Sequence, residues 1–242
     1  MFTGSRKRFQ LRSPALVGQG EVWARRLGAL VYLAVLGFVL CMGIAIVAYP
    51  GGNLWDHSRR GFDFWLNFWC DLLRQPAYNG APNPVAPGFA QLGMASLALG
   101  IAAYFALAPR MFGTLVWLSR GVTVLGILGG AGLMAVATIS SRAHPTLHGV
   151  AVLMAGPMGL GAVLGTIVGL ARSAERHWFC VSLGALMLAV ASFTLVQFMR
   201  QFACSAPSSE WLPRSQKVAT LLALGWMCVV SAAAVRASGP NG

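Results

Sequence analysis

Six long apolar runs, each closed by a charge or by Pro and Gly, constrain this chain more than any other feature of it. They cover Leu27–Tyr49, Gly88–Ala108, Gly121–Ser140, Thr146–Ala171, Trp178–Met199 and Val218–Val235. As an α-helix the first would reach about 34 Å at 1.5 Å per residue, past the roughly 30 Å hydrocarbon core of a bilayer. Within lipid a segment must pair its own backbone donors and acceptors, so runs of this length are expected to be helices. Composition agrees. Hydrophobic residues make up 57% of the chain and charged residues only 10%, against about 25% charged in a soluble domain. The expected fold is all-α: a polytopic membrane bundle of six transmembrane helices.

The segments between the runs set the organisation. Residues 1–26 read as a basic tail, with Arg6, Lys7, Arg8, Arg12, Arg25 and Arg26 against Glu21. The tail looks like the n-region of a signal peptide. The run behind it is long for an h-region, however, and no small-residue cleavage site stands out, so the first span is expected to be retained. Residues 27–236 form the transmembrane domain, and residues 237–242 a short C-terminal tail. Pro50-Gly51-Gly52 stops the first helix and opens the longest loop, 50–87. The third span has an alternative start near Gly113, with Arg120 facing protein.

Six spans put both termini on one side, and basic residues choose the side. A cytoplasmic N-terminus places Arg6, Lys7, Arg8, Arg12, Arg25, Arg26, Arg110, Arg120, Arg172, Arg176 and Arg236 inside. Arg59, Arg60, Arg74, Arg142, Arg200, Arg214 and Lys217 are then outside. The six ahead of the first span decide the matter. Both termini are therefore expected in the cytoplasm, with a bacterial inner membrane as the location. The formal charge of +12 fits orientation and contact with anionic lipid rather than nucleic acid, because the basic residues are not gathered into one domain. Membrane lipids are the expected partners, with membrane proteins or a second copy of the chain also open. Small residues four apart, such as Ser96/Gly100, Gly126/Gly130 and Gly165/Gly169, allow close helix packing inside the bundle or at a dimer face.

The long loop carries the best clue to a site. Phe62, Trp65, Leu66, Trp69, Leu72 and Leu73 recur at steps of three and four, the period of one helical face. Arg60, Asp63, Asn67, Asp71 and Arg74 recur in the same way. The spacing predicts a short interfacial amphipathic helix, its aromatic residues in lipid and its polar stripe turned to the bundle mouth. The second outer loop brings Arg142, His144 and His148 to the same side. A polar outer-leaflet pocket of Asp63, Asn67, Asp71, Arg142, His144 and His148 is therefore expected, with Asp71 and His148 the catalytic candidates. His144 and His148 at i, i+4 also suit a metal, zinc for instance, with Asp71 as third ligand. Pro145 disfavours the helical region for His144 and makes it a helix cap instead. Cys70 and Cys204, both outer, are candidates for a disulfide in an oxidising compartment.

The spans hold almost no ionisable group, which argues against a secondary transporter. No Walker A sequence, Cys-x-x-Cys-His, GxSxG or HExxH occurs. Three functions stay open: a lipid-interacting or membrane-assembly protein, a membrane-embedded metal-dependent lipid hydrolase, and an accessory subunit of a larger membrane complex.

Tyr49-Pro50-Gly51-Gly52 after the first span, Asp71-Leu72 in the long outer loop and His148 at the start of the fourth span carry a resemblance. The layout resembles a bacterial family of six-helix membrane proteins of unknown function, related in shape to DRAM-type proteins. Where that family often has Ser-Asp-Leu-Gly, this chain has Cys70-Asp71-Leu72-Leu73. The resemblance covers most of the chain and implies the six-helix fold.

Overall fold

In a computed structural model, the described residues are 14–139, 142–173 and 177–238. Arg6, Lys7, Arg8, Arg12, Glu175, Arg176 and residues 239–242 lie outside them. The described chain is all-α. Its helices are α1 (Pro14–Ala48), α2 (Ala86–Leu107), α3 (Val116–Thr138), α4 (Pro145–Arg172), α5 (Trp178–Ala203) and α6 (Trp211–Ala237). Two 3-10 turns, Trp69–Leu73 and Ala108–Phe112, complete the order. Six helices are long and apolar enough to cross a membrane, which is the architecture of an integral membrane protein. Their outward faces are apolar too: Val47, Trp117 and Phe179 are 88%, 83% and 70% exposed. A helix that is apolar all round belongs in lipid or in a core.

The bundle alternates end to end. Ala24 of α1, Leu107 of α2 and Ala234 of α6 pack together at one end. At the other, Tyr49, Trp69, Leu72, Ala86 and Ala137 gather around the long loop. Between them Tyr104, Phe105, Phe112, Val122, Val163, Met187 and Trp226 form the largest core. The small residues serve this packing. A Cβ on Gly126 would lie 2.1 Å from the Phe105 ring, one on Gly100 2.7 Å from Ala34 Cβ, and one on Gly165 2.6 Å from Val122. Ser96 Oγ donates to the Ala34 carbonyl at 3.0 Å. Each contact lies between neighbouring helices of one chain. α4 continues through Pro157.

Three boundaries differ from those the sequence suggests. α1 begins at Pro14, so half of the expected tail is helical, with Glu21 paired to Arg25 one turn on. Arg120 lies within α3, exposed rather than facing protein, with Trp117 beneath its guanidinium at 5.6 Å. α6 begins at Trp211, not Val218, which brings Lys217 into the helix.

The amphipathic helix expected over Phe62–Arg74 is not formed; only the 3-10 turn Trp69–Leu73 is helical there. Local side-chain bonds outcompete it. Asp63 Oδ1 accepts from the amides of Trp65 and Leu66 at 3.0 and 3.2 Å. Asn67 Oδ1 accepts from the Asp63 amide at 2.8 Å. Gly61 is in the left-handed region, φ +69°. Trp69 and Leu72 fold inward instead, Trp69 packing against Phe38, Phe62 and Phe64, while Trp65 stays exposed.

Candidate functional site

The loop over the bundle mouth is knitted by polar side chains. Gly51 and Gly52 have φ +138° and +80°, and a Cβ on Gly52 would come within 2.7 Å of Tyr78. Only Gly fits such a crossing. The Asn79 amide donates to Gly51 O at 3.2 Å, and the Gly52 amide to Arg59 O at 2.8 Å. Asn67, fully buried, donates from Nδ2 to Gly52 O at 2.9 Å and to Asp71 Oδ2 at 3.0 Å. The Phe68 amide donates to the same Asp71 oxygen at 2.8 Å.

Lys217 anchors this loop to α6. It has no exposed surface. Its Nζ donates to the Asn67 carbonyl at 2.5 Å and lies 4.3 Å from the centre of the Trp69 ring, with Phe62 and Phe64 at 5.6 and 5.9 Å. Cation–π attraction and a charge-assisted hydrogen bond oppose the cost of desolvating the ammonium. Gln216 and Thr220 on either side accept from Trp69 N and Nε1, both at 3.1 Å. The sequence places Lys217 only among the outer basic residues, because it precedes the apolar run. The signal that could have found it is its position about two turns past the N-cap Glu210, where Arg214 pairs with Glu210 at 2.7 Å.

Two cavities open beneath the loop. One, of about 350 Å³, has Asp71, Arg74, Tyr78, His148, Gln201 and Gln216 in a wall completed by apolar residues such as Phe68, Phe198 and Leu212. The other, of about 390 Å³, runs down the bundle past Tyr104, Leu133, Leu160, Met187 and Trp226. They share Cys70, Val152, Ala191, Leu195 and Gln216 as wall. From Gln216 to Trp226 is about 15 Å along α6 at 1.5 Å per residue.

Of the site residues expected from sequence, Asp71 and His148 meet in the polar cavity. Asp63 is held by Arg59 at 3.0 Å and caps its own turn, and Asn67 is consumed by the loop's hydrogen bonds. Both support the wall rather than line it. Arg142 is exposed and donates to Gln75 O at 3.1 Å. His144 is the exposed N-cap residue of α4, as Pro145 after it implies. His148 is 7% exposed, so the two imidazoles do not share an environment. A metal site would need a third ligand, and among the described residues no three His, Cys, Asp or Glu side chains gather. Cys70 and Cys204 are free thiols, not a disulfide: Cys70 faces the two cavities and Cys204 is exposed at the end of α5.

Burial lifts the Asp71 carboxyl to about 6, opposed by the Asn67 and Phe68 hydrogen bonds and then by Lys217 and Arg74. Burial also pushes the Cys70 thiol up to about 12, and the Asp71 charge adds to this. Cys70 is therefore a poor nucleophile at neutral pH. His148 Nδ1 lies 2.7 Å from the Ile139 carbonyl. A carbonyl can only accept, so Nδ1 carries a proton. Arg74 stacks over Tyr78 at 3.9 Å; its Nε and Gln201 Oε1 are buried without a partner. Unpaired buried polar atoms are rare and costly. No family model, characterised protein or solved structure matches the chain.

Proposed function

We propose that this integral membrane protein binds a membrane lipid, its headgroup in the polar cavity and an acyl chain in the apolar one. The observation that carries the reading is the common wall of Cys70, Val152, Ala191, Leu195 and Gln216. Ionic and hydrogen-bonding groups in one cavity, and aliphatic and aromatic groups in the cavity beside it, match an amphiphile. A soluble polar metabolite would leave the apolar end unused. The loop side is proposed to be the non-cytoplasmic one, on the count of basic residues, and kinship with the bacterial six-helix family belongs to the same proposal. The catalytic alternatives gain no separate observation.

The test is lipid analysis of protein purified in mild detergent, beside an Ala191→Trp variant that fills the junction of the cavities. Bound lipid is expected in the native chain and depleted in a variant that stays folded. Equal lipid content in both overturns the reading.

A further inference from the structure

Resting on that lipid-binding reading, the polar chamber also specifies the headgroup. Three residues on its wall carry acceptors: the Asp71 carboxylate, the His148 ring when Nδ1 holds its one proton, and the Gln201 side-chain carbonyl. Against them stands one cationic group, the Arg74 guanidinium. A headgroup that was only an anion would satisfy Arg74 and leave the acceptors facing one another. A quaternary ammonium has no N–H to give them. A primary ammonium beside a phosphate meets both needs, because it supplies three donors to the acceptor wall while the phosphate meets the guanidinium.

We infer that the chamber selects a zwitterionic lipid bearing a primary amine next to its phosphate. The amine points to Asp71, His148 and Gln201 and the phosphate to Arg74.

The experiment places the whole protein in nanodiscs of equal parts phosphatidylethanolamine, phosphatidylcholine and phosphatidylglycerol. Lipids retained after detergent extraction are then counted by native mass spectrometry. Phosphatidylethanolamine should be retained over phosphatidylcholine by about tenfold, the scale of one hydrogen bond to a charged group. The two lipids share the phosphate and differ in the N–H donors. Asp71→Asn and Gln201→Leu should each narrow that ratio. Gln201 makes no hydrogen bond that the fold depends on, so it serves if Asp71→Asn fails to fold. Equal retention of the two lipids, dominance of phosphatidylglycerol, or a ratio that neither variant changes overturns the inference and leaves lipid binding standing. No retained lipid of any kind overturns both.

Discussion

Asp71 is where the balance of forces at the site is sharpest. Its carboxyl is 4% exposed and shifted from 3.8 to about 6 by burial. A carboxyl whose folded value is raised binds more protons folded than unfolded between those two values. Stability from this group is therefore full below pH 4 and is lost as pH rises to about 6. The loss is about 3 kcal/mol at 1.36 kcal/mol per pH unit. Asp71→Asn should flatten that slope in detergent unfolding curves measured from pH 4 to 7. An unchanged slope would place the titrating group elsewhere. Lys217 pulls the Asp71 value down, so Lys217→Met should move the fall in stability to higher pH; movement to lower pH would contradict the arrangement. Asp71 and His148 were legible in the sequence, because a chain with six acids and four His displays the few it has. Arg74, Gln201 and Lys217 were not legible as site residues. Which face of a helix end a long polar side chain takes depends on its partner, and the partners here come from distant segments.

The loop shows where periodicity misleads. Phe62, Trp65, Trp69 and Leu72 have helical spacing, but Asp63, Asn67 and Gly61 provide stronger local alternatives. The outcome is a set of turns fixed by side-chain oxygens, with a single 3-10 turn at Trp69–Leu73. Such a turn is laid onto α6 by Gln216, Lys217 and Thr220, and this holds Asp71 over the cavity. The crossing at Gly52 makes that fold possible. Gly52→Ala should lower stability by about 1–3 kcal/mol, the range for a non-Gly residue forced to positive φ, and a thermal melt reads it. A melt unchanged from the native chain would mean that the loop does not cross at Gly52. The six membrane helices were legible because length and apolarity alone define them, whereas their ends were not. α1 and α6 begin a turn or more ahead of their apolar runs, since ion pairs such as Arg25–Glu21 and Arg214–Glu210 let charged segments stay helical.

At the scale of the molecule, one end of the bundle is closed by small contacts such as Ala24, Leu107 and Ala234. The other is roofed by the long loop over two cavities with a common wall. The orientation proposed from the charge count has a direct test. Cys204 is exposed at the loop end, whereas Cys70 is held protonated by burial. A membrane-impermeant maleimide added to right-side-out vesicles should modify Cys204 and leave Cys70 intact; modification only in inverted vesicles would reverse the topology. The central claim is that the cavities hold one amphiphile. A density map of the protein taken from native membranes tests it most directly. The account predicts a headgroup between Asp71, Arg74 and His148, continuous with a chain that passes Ala191 towards Trp226. Lipid ordered only on the outer faces of the helices, with side chains closing the space at Ala191, would contradict it.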